Sequence, residues 1–185
     1  MTNLDLEKIK TAMQTKKFAR DVGRYLHITD NLYSVDVRQD ALFQTKYNGF
    51  FQLRRNLAYR TKHYEFLEKN KHNKDITFTQ ILIYLSSIQN SIEASFASKM
   101  LSIINVDAPV LDSKVLSKLN LKVPKIGSSD RMEQYIQLYK NIENWYENFY
   151  ETQEFKDWIK LFDTYHPNTG ISTAKKVDFV LWQLD

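Results

Sequence analysis

The sequence contains no cysteine, which excludes disulfides, thiolate nucleophiles, zinc ribbons and iron–sulfur ligation together. Glycine and proline are scarce, four and three in 185 residues, too few for the turns that a many-stranded β-fold demands. No apolar run approaches the ~18 residues that a membrane span needs. The opening Met1-Thr2-Asn3-Leu4-Asp5 lacks the apolar core of a signal peptide, so a soluble, cytoplasmic protein without membrane partners is the expectation. His27, His63, His72 and His166 fall in no ligand spacing. There is also no Gly-rich phosphate loop and no Ser-His-Asp arrangement, so neither a metal nor a cofactor is expected.

What is present is a chain of ordinary apolar and charged content, long enough to bury its own core as one domain. Its charge is uneven. Residues 1–75 hold 15 Lys/Arg against 9 Asp/Glu, and residues 76–185 hold 11 against 13, so a basic half adjoins a slightly acidic one. Such asymmetry suits a surface that faces a polyanion.

Apolar residues recur near every 3.6 positions through most of the chain, with no repeat and no flexible linker. The pattern predicts helices over about 5–25, 38–47, 50–70, 92–104 and 175–184. Thr77 or Thr79 should open another, a short one should follow Asp112, and Asp130 (with Glu133 as capping-box partner) and Thr152 should begin two more. The fold class is therefore all-α, a compact helical array.

Three segments carry candidate chemistry. In the helix 50–70, Arg55, Lys62 and Lys69 repeat every seven residues, with Tyr59 and Phe66 alongside, a basic and aromatic stripe suited to a nucleic-acid backbone. Arg60 falls instead in the apolar arc of Leu53, Leu57, Tyr64 and Leu67, where it should pair with a buried carboxylate, Glu93 or Asp178. In the helix 92–104 the arc opposite the apolar residues holds only Ser95, Ser98 and Ser102, bordered by Lys99. So small a face lets another helix, or a phosphate backbone, approach closely. Finally, Pro109 interrupts the helical pattern and sets Asp112 at the N-terminus of the next helix, as a cap or as a carboxylate held ionised by the helix dipole.

The lysine of one helix followed by Pro109-Val110-Leu111-Asp112-Ser113-Lys114-Val115 opening the next resembles the core of the helix-hairpin-helix DNA glycosylase superfamily, its bacterial 8-oxoguanine-glycosylase-like members most of all. The resemblance covers about residues 80–120. It implies a helix-hairpin-helix fold, DNA as partner and excision of a flipped base. It further implies Asp112 as catalytic carboxylate, Lys99 as the Schiff-base lysine of a bifunctional member and otherwise a phosphate contact, and Phe179 and Trp182 on the C-terminal helix as base-pocket walls; where a strand passes over the serine face, Ser95 and Ser98 lie beside it. Two other readings remain open, a catalytically silent DNA-binding module on that fold and a helical protein-interaction domain.

Overall fold

The shortage of turn residues is met by helices alone. The computed structural model describes residues 6–183, and among them there are ten helices and no strand. In chain order they are α1 (Leu6–Met13), α2 (Lys16–Asn31), α3 (Ala41–Phe51), α4 (Leu57–Asn70) and α5 (Phe78–Gln89). There follow α6 (Ala94–Ile104), α7 (Ser113–Lys118), α8 (Arg131–Tyr150), α9 (Gln153–Tyr165) and α10 (Thr173–Gln183). Leu184, at the far end of the expected last helix, and residue 5 lie outside the described residues. No helix is long and apolar enough to cross a membrane among those described.

Local chemistry sets most of the boundaries. Thr77 caps α5 by accepting from the Gln80 amide while the Gln80 side chain returns to the Thr77 N–H, a complete capping box. Thr152 caps α9 by accepting from the Phe155 amide. Asp40 and Asn56 do the same for α3 and α4. Two expected helices are each split by such caps. The stretch 5–25 breaks at Gln14–Thr15, where the Thr15 hydroxyl accepts from Phe18 N–H. The stretch 50–70 breaks between Phe51 and Leu57, because Gln52 turns left-handed at φ 54° and Asn56 starts a new helix. Asp130, expected as a cap, makes no cap bond; its carboxylate takes Ser128 and Gln134 side chains instead.

The chain divides into two compact units, a division that its even helical periodicity does not announce. One is Arg20–Asn105; the other joins the N-terminal residues up to Ala19 with the chain from Val106 onward. In the 20–105 unit the core is aromatic and polar-tipped: Tyr25, Phe43, Tyr47, Phe51, Tyr59 and Tyr64 are all buried. Tyr47 and His63 meet through a 3.0 Å hydrogen bond between the phenol and Nε2. In the other unit α9 and α10 pack together and against α1. Phe18, Phe162 and Phe179 form the centre there, with ring centroids 5.6–6.1 Å apart.

Candidate functional site

Helix α6 is buried on nearly all sides. Ser98 and Ser102 are fully occluded, and each hydroxyl bonds back to the carbonyl three residues earlier, Ser95 O at 3.0 Å and Lys99 O at 2.9 Å. The small serine face therefore serves packing rather than a nucleic-acid strand, which corrects the expectation for Ser98. Serine fits because it fills little space and can satisfy its own hydroxyl within the helix. Among the α6 residues only Ser95, Phe96 and Lys99 keep part of their surface.

Those residues border a cluster built by two turns. Glu93, just ahead of α6, is buried and accepts Arg55 Nη2 on both oxygens at 2.9 and 3.0 Å, and Ser91 Oγ at 2.7 Å. This answers the expected need of Glu93 for a partner, but the partner is Arg55 and not Arg60. The reason is the break before α4. Arg55 lies in the connecting turn, free to reach Glu93, whereas Arg60 is carried on α4 with the exposed Leu57. The Arg55 guanidinium sits 5.4 Å from the Phe96 ring centroid and 5.9 Å from that of Tyr59. Lys99 Nζ lies 5.6 Å from the other partner of this stack, the Phe96 ring, and 3.3 Å from Phe51 O. Both are contacts that an ammonium makes. Arg55 retains 39% of its side-chain surface, so the cluster presents a cation-flanked aromatic edge.

The seven-residue stripe is thereby shortened. Lys62 and Lys69 share an exposed face of α4, Lys62 paired with Glu65 at 2.8 Å, while Arg55 stands outside the helix. Phe66 is stacked on Tyr84 of α5 at 4.0 Å, and Tyr59 is buried. The charge is also uneven between the two units. Residues 20–105 hold 12 Lys/Arg against 8 Asp/Glu, and the remaining residues hold 14 against 14, so the entire net charge of +4 belongs to the 20–105 unit. Lys46, Arg54, Arg60 and Lys69 of that unit make no ion pair among the described residues.

Asp112 belongs to the other unit. It caps α7, with Oδ1 accepting from both the Lys114 and Val115 amides at 3.0 Å, and Oδ2 accepts no hydrogen bond among the described residues. The segment before it is fixed by a buried polar network. Lys175 Nζ meets Asp178 Oδ2 at 2.6 Å, Tyr146 OH donates to Asp178 Oδ1 at 2.5 Å, and Val110 N–H reaches the same oxygen at 3.4 Å. Lys175 and Asp178 are wholly buried. Burial pushes the Asp178 carboxyl up, against the opposing pull of Lys175. Asp178 thus pairs with its own helix rather than with Arg60, as the i, i+3 spacing of Lys175 and Asp178 allows. Phe179 is fully buried in the Phe18–Phe162 core and lines no open surface. Trp182 is partly exposed, with Lys175 Nζ 5.2 Å from its ring centroid. The segment Ser113–Ser129, with Lys114, Lys118, Lys122 and Lys125 and no acidic residue, is a second basic stretch that the charge count over half-chains hid.

Among the described residues no group of His, Asp and Glu is placed to hold a metal ion. The chain matches no protein-family model, no curated protein and no solved structure.

Proposed function

We propose that the protein binds DNA, and that residues 20–105 carry the contact with the phosphate backbone. The observation behind this reading is the concentration of the whole net charge in that unit, with Lys46, Arg54, Arg60 and Lys69 unneutralised. Counterions released from phosphates by such side chains make binding fall with salt, by about 0.9 in the log–log slope per phosphate. Fluorescence anisotropy on a short duplex between about 50 and 200 mM salt tests it. Four such contacts give a slope near roughly −3 to −4. A flat response removes the reading.

Base excision at Asp112 is the second reading, favoured by one observation: both cap bonds fall on Oδ1, which leaves Oδ2 without an acceptor's duty among the described residues. A carboxylate held at a helix N-terminus with one free oxygen can stabilise the positive charge that develops on a sugar as its base departs. Incubation with lesion-bearing duplexes followed by alkali reveals abasic sites, and the absence of cleavage on every lesion leaves the binding reading alone.

A further inference from the structure

A cleft of about 390 Å³ opens in the 20–105 unit between α4 and the turn that precedes α3. Arg38 and Arg60 line it, and nearly every other polar wall group is already committed. Gln44 Nε2 donates to Val37 O and Arg38 O, both at 2.9 Å. The Thr61 hydroxyl donates to Leu57 O at 3.0 Å, and Tyr64 OH to Asn48 Oδ1 at 2.7 Å. Gln39 Nε2 reaches Asp36 Oδ2 at 3.2 Å. Arg60 is the exception. Its guanidinium has no hydrogen bond and no ion pair among the described residues, and its Nε is shut off from solvent. The Nε of this half-buried guanidinium has lost water without gaining an acceptor, which is costly enough to require an explanation.

The neighbouring charges state what would relieve it. Asp36 pairs with Arg38, Glu65 with Lys62, and Glu68 with Lys71, at 2.6 to 2.9 Å. The Arg38 hydrogen bond holds the Asp36 carboxyl down at about 2, so that pair stays intact through the working pH range. Three carboxylates answer three cations, and Arg60 is left over. The residual charge is a single positive one. A doubly charged phosphate monoester would leave an uncompensated negative charge beside Glu65, whereas a monoanion is matched. The volume takes more than a bare ion, and Leu57, 71% exposed, adds an apolar wall at the rim.

We propose that this cleft binds one phosphodiester group, with the terminal nitrogens of the Arg60 guanidinium donating to its non-bridging oxygens. The inference rests on the DNA-binding reading for the choice of a phosphodiester over other monoanions, but the site itself does not.

The test uses the full chain labelled with ¹⁵N, following the Arg60 Nε–H signal identified by its loss in Arg60→Gln. Sodium dimethyl phosphate is titrated at constant ionic strength, and sodium acetate and the exposed Arg54 Nε–H serve as controls. The expected result is a saturable displacement of the Arg60 signal by dimethyl phosphate, with Arg54 unmoved. In parallel, Arg60→Gln and Arg60→Lys are measured on the DNA duplex. Gln should weaken binding about tenfold and reduce the salt slope by about 0.9, while Lys restores most of the slope. An Arg60 signal that moves no more than that of Arg54, or that saturates with acetate and not with dimethyl phosphate, overturns the proposal. So does an Arg60→Gln protein that binds DNA with wild-type affinity and slope. If dimethyl phosphate binds at Arg60 while the wild-type protein ignores DNA, the site stands and the DNA-binding reading falls.

Discussion

Lowering the pH should destabilise the 20–105 unit through His63, a residue that sequence spacing left without a role. Its ring is fully buried between Tyr47, Tyr59 and Tyr64, with centroids 5.4–6.0 Å away, and its Nε2 is engaged with Tyr47 OH. No carboxylate is bonded to it, so burial alone sets its titration and pulls the imidazole from 6.5 to about 3. The sign follows from the direction. Unfolding frees a histidine that takes up a proton below about 6.5, while the folded protein resists doing so until about 3. Stability from this group is therefore complete above pH 6.5 and is lost as pH falls toward 3. At about 1.4 kcal/mol per pH unit, the loss is roughly 2 kcal/mol at pH 5 and at most about 5 kcal/mol at pH 3. Other groups also titrate in acid, so the measurement is a difference. Urea unfolding of wild type and His63→Gln is compared at pH 7, 6, 5 and 4.5. Glutamine does not titrate and keeps a partner for Tyr47. The two stabilities should converge by about 2 kcal/mol between pH 7 and pH 5. Parallel curves over that interval would refute the claim that His63 is held neutral by burial.

In the other unit, Asp178→Asn strands a buried ammonium and should cost about 3–5 kcal/mol in thermal or denaturant unfolding, whereas the paired change Lys175→Met with Asp178→Leu should recover most of it; similar losses for single and double variants would contradict the pairing. Asp112→Asn should retain the α7 cap and the fold and abolish any base excision, while Asp112→Ala should lose about 1 kcal/mol of stability as well. Arg55→Met leaves Glu93 buried with Ser91 as its remaining side-chain partner, and should cost about 2–4 kcal/mol by the same unfolding assay. A cost below about 0.5 kcal/mol would place that pair among exposed, weightless contacts.

The helices were legible because their information is local. Apolar spacing and the caps at Thr77, Asp112 and Thr152 are written within a few residues of each boundary. Periodicity carried the reading too far across Gln52–Asn56, since a left-handed glutamine has no distinctive signature and Arg55 and Lys62 stay seven apart whether or not a helix joins them. The serine face of α6 is unusual in the sequence, yet its meaning depends on what covers Ser98 and Ser102, a tertiary fact. Partner choice failed for the same reason. Which cation meets Glu93 is decided by the turn that holds Arg55, and Lys175, the partner of Asp178, is one of the most deeply buried side chains of its helix. The division into two units brings residues near 15 beside residues near 165, as in the contact of Phe18 with His166, and no local pattern encodes that.

The central claim is that DNA meets the 20–105 unit, and moving charge tests it most directly. Lys46, Arg54 and Lys69 are changed together to glutamine in one protein, and Lys118, Lys122 and Lys125 in a second, so each loses three positive charges. Folding is checked by circular dichroism, and duplex affinity is measured against salt for both and for wild type. The first variant should lose between two and three units of log–log slope and the second almost none. The reverse outcome, a slope carried by the lysines of residues 118–125, would contradict the assignment and move the DNA contact to the other unit.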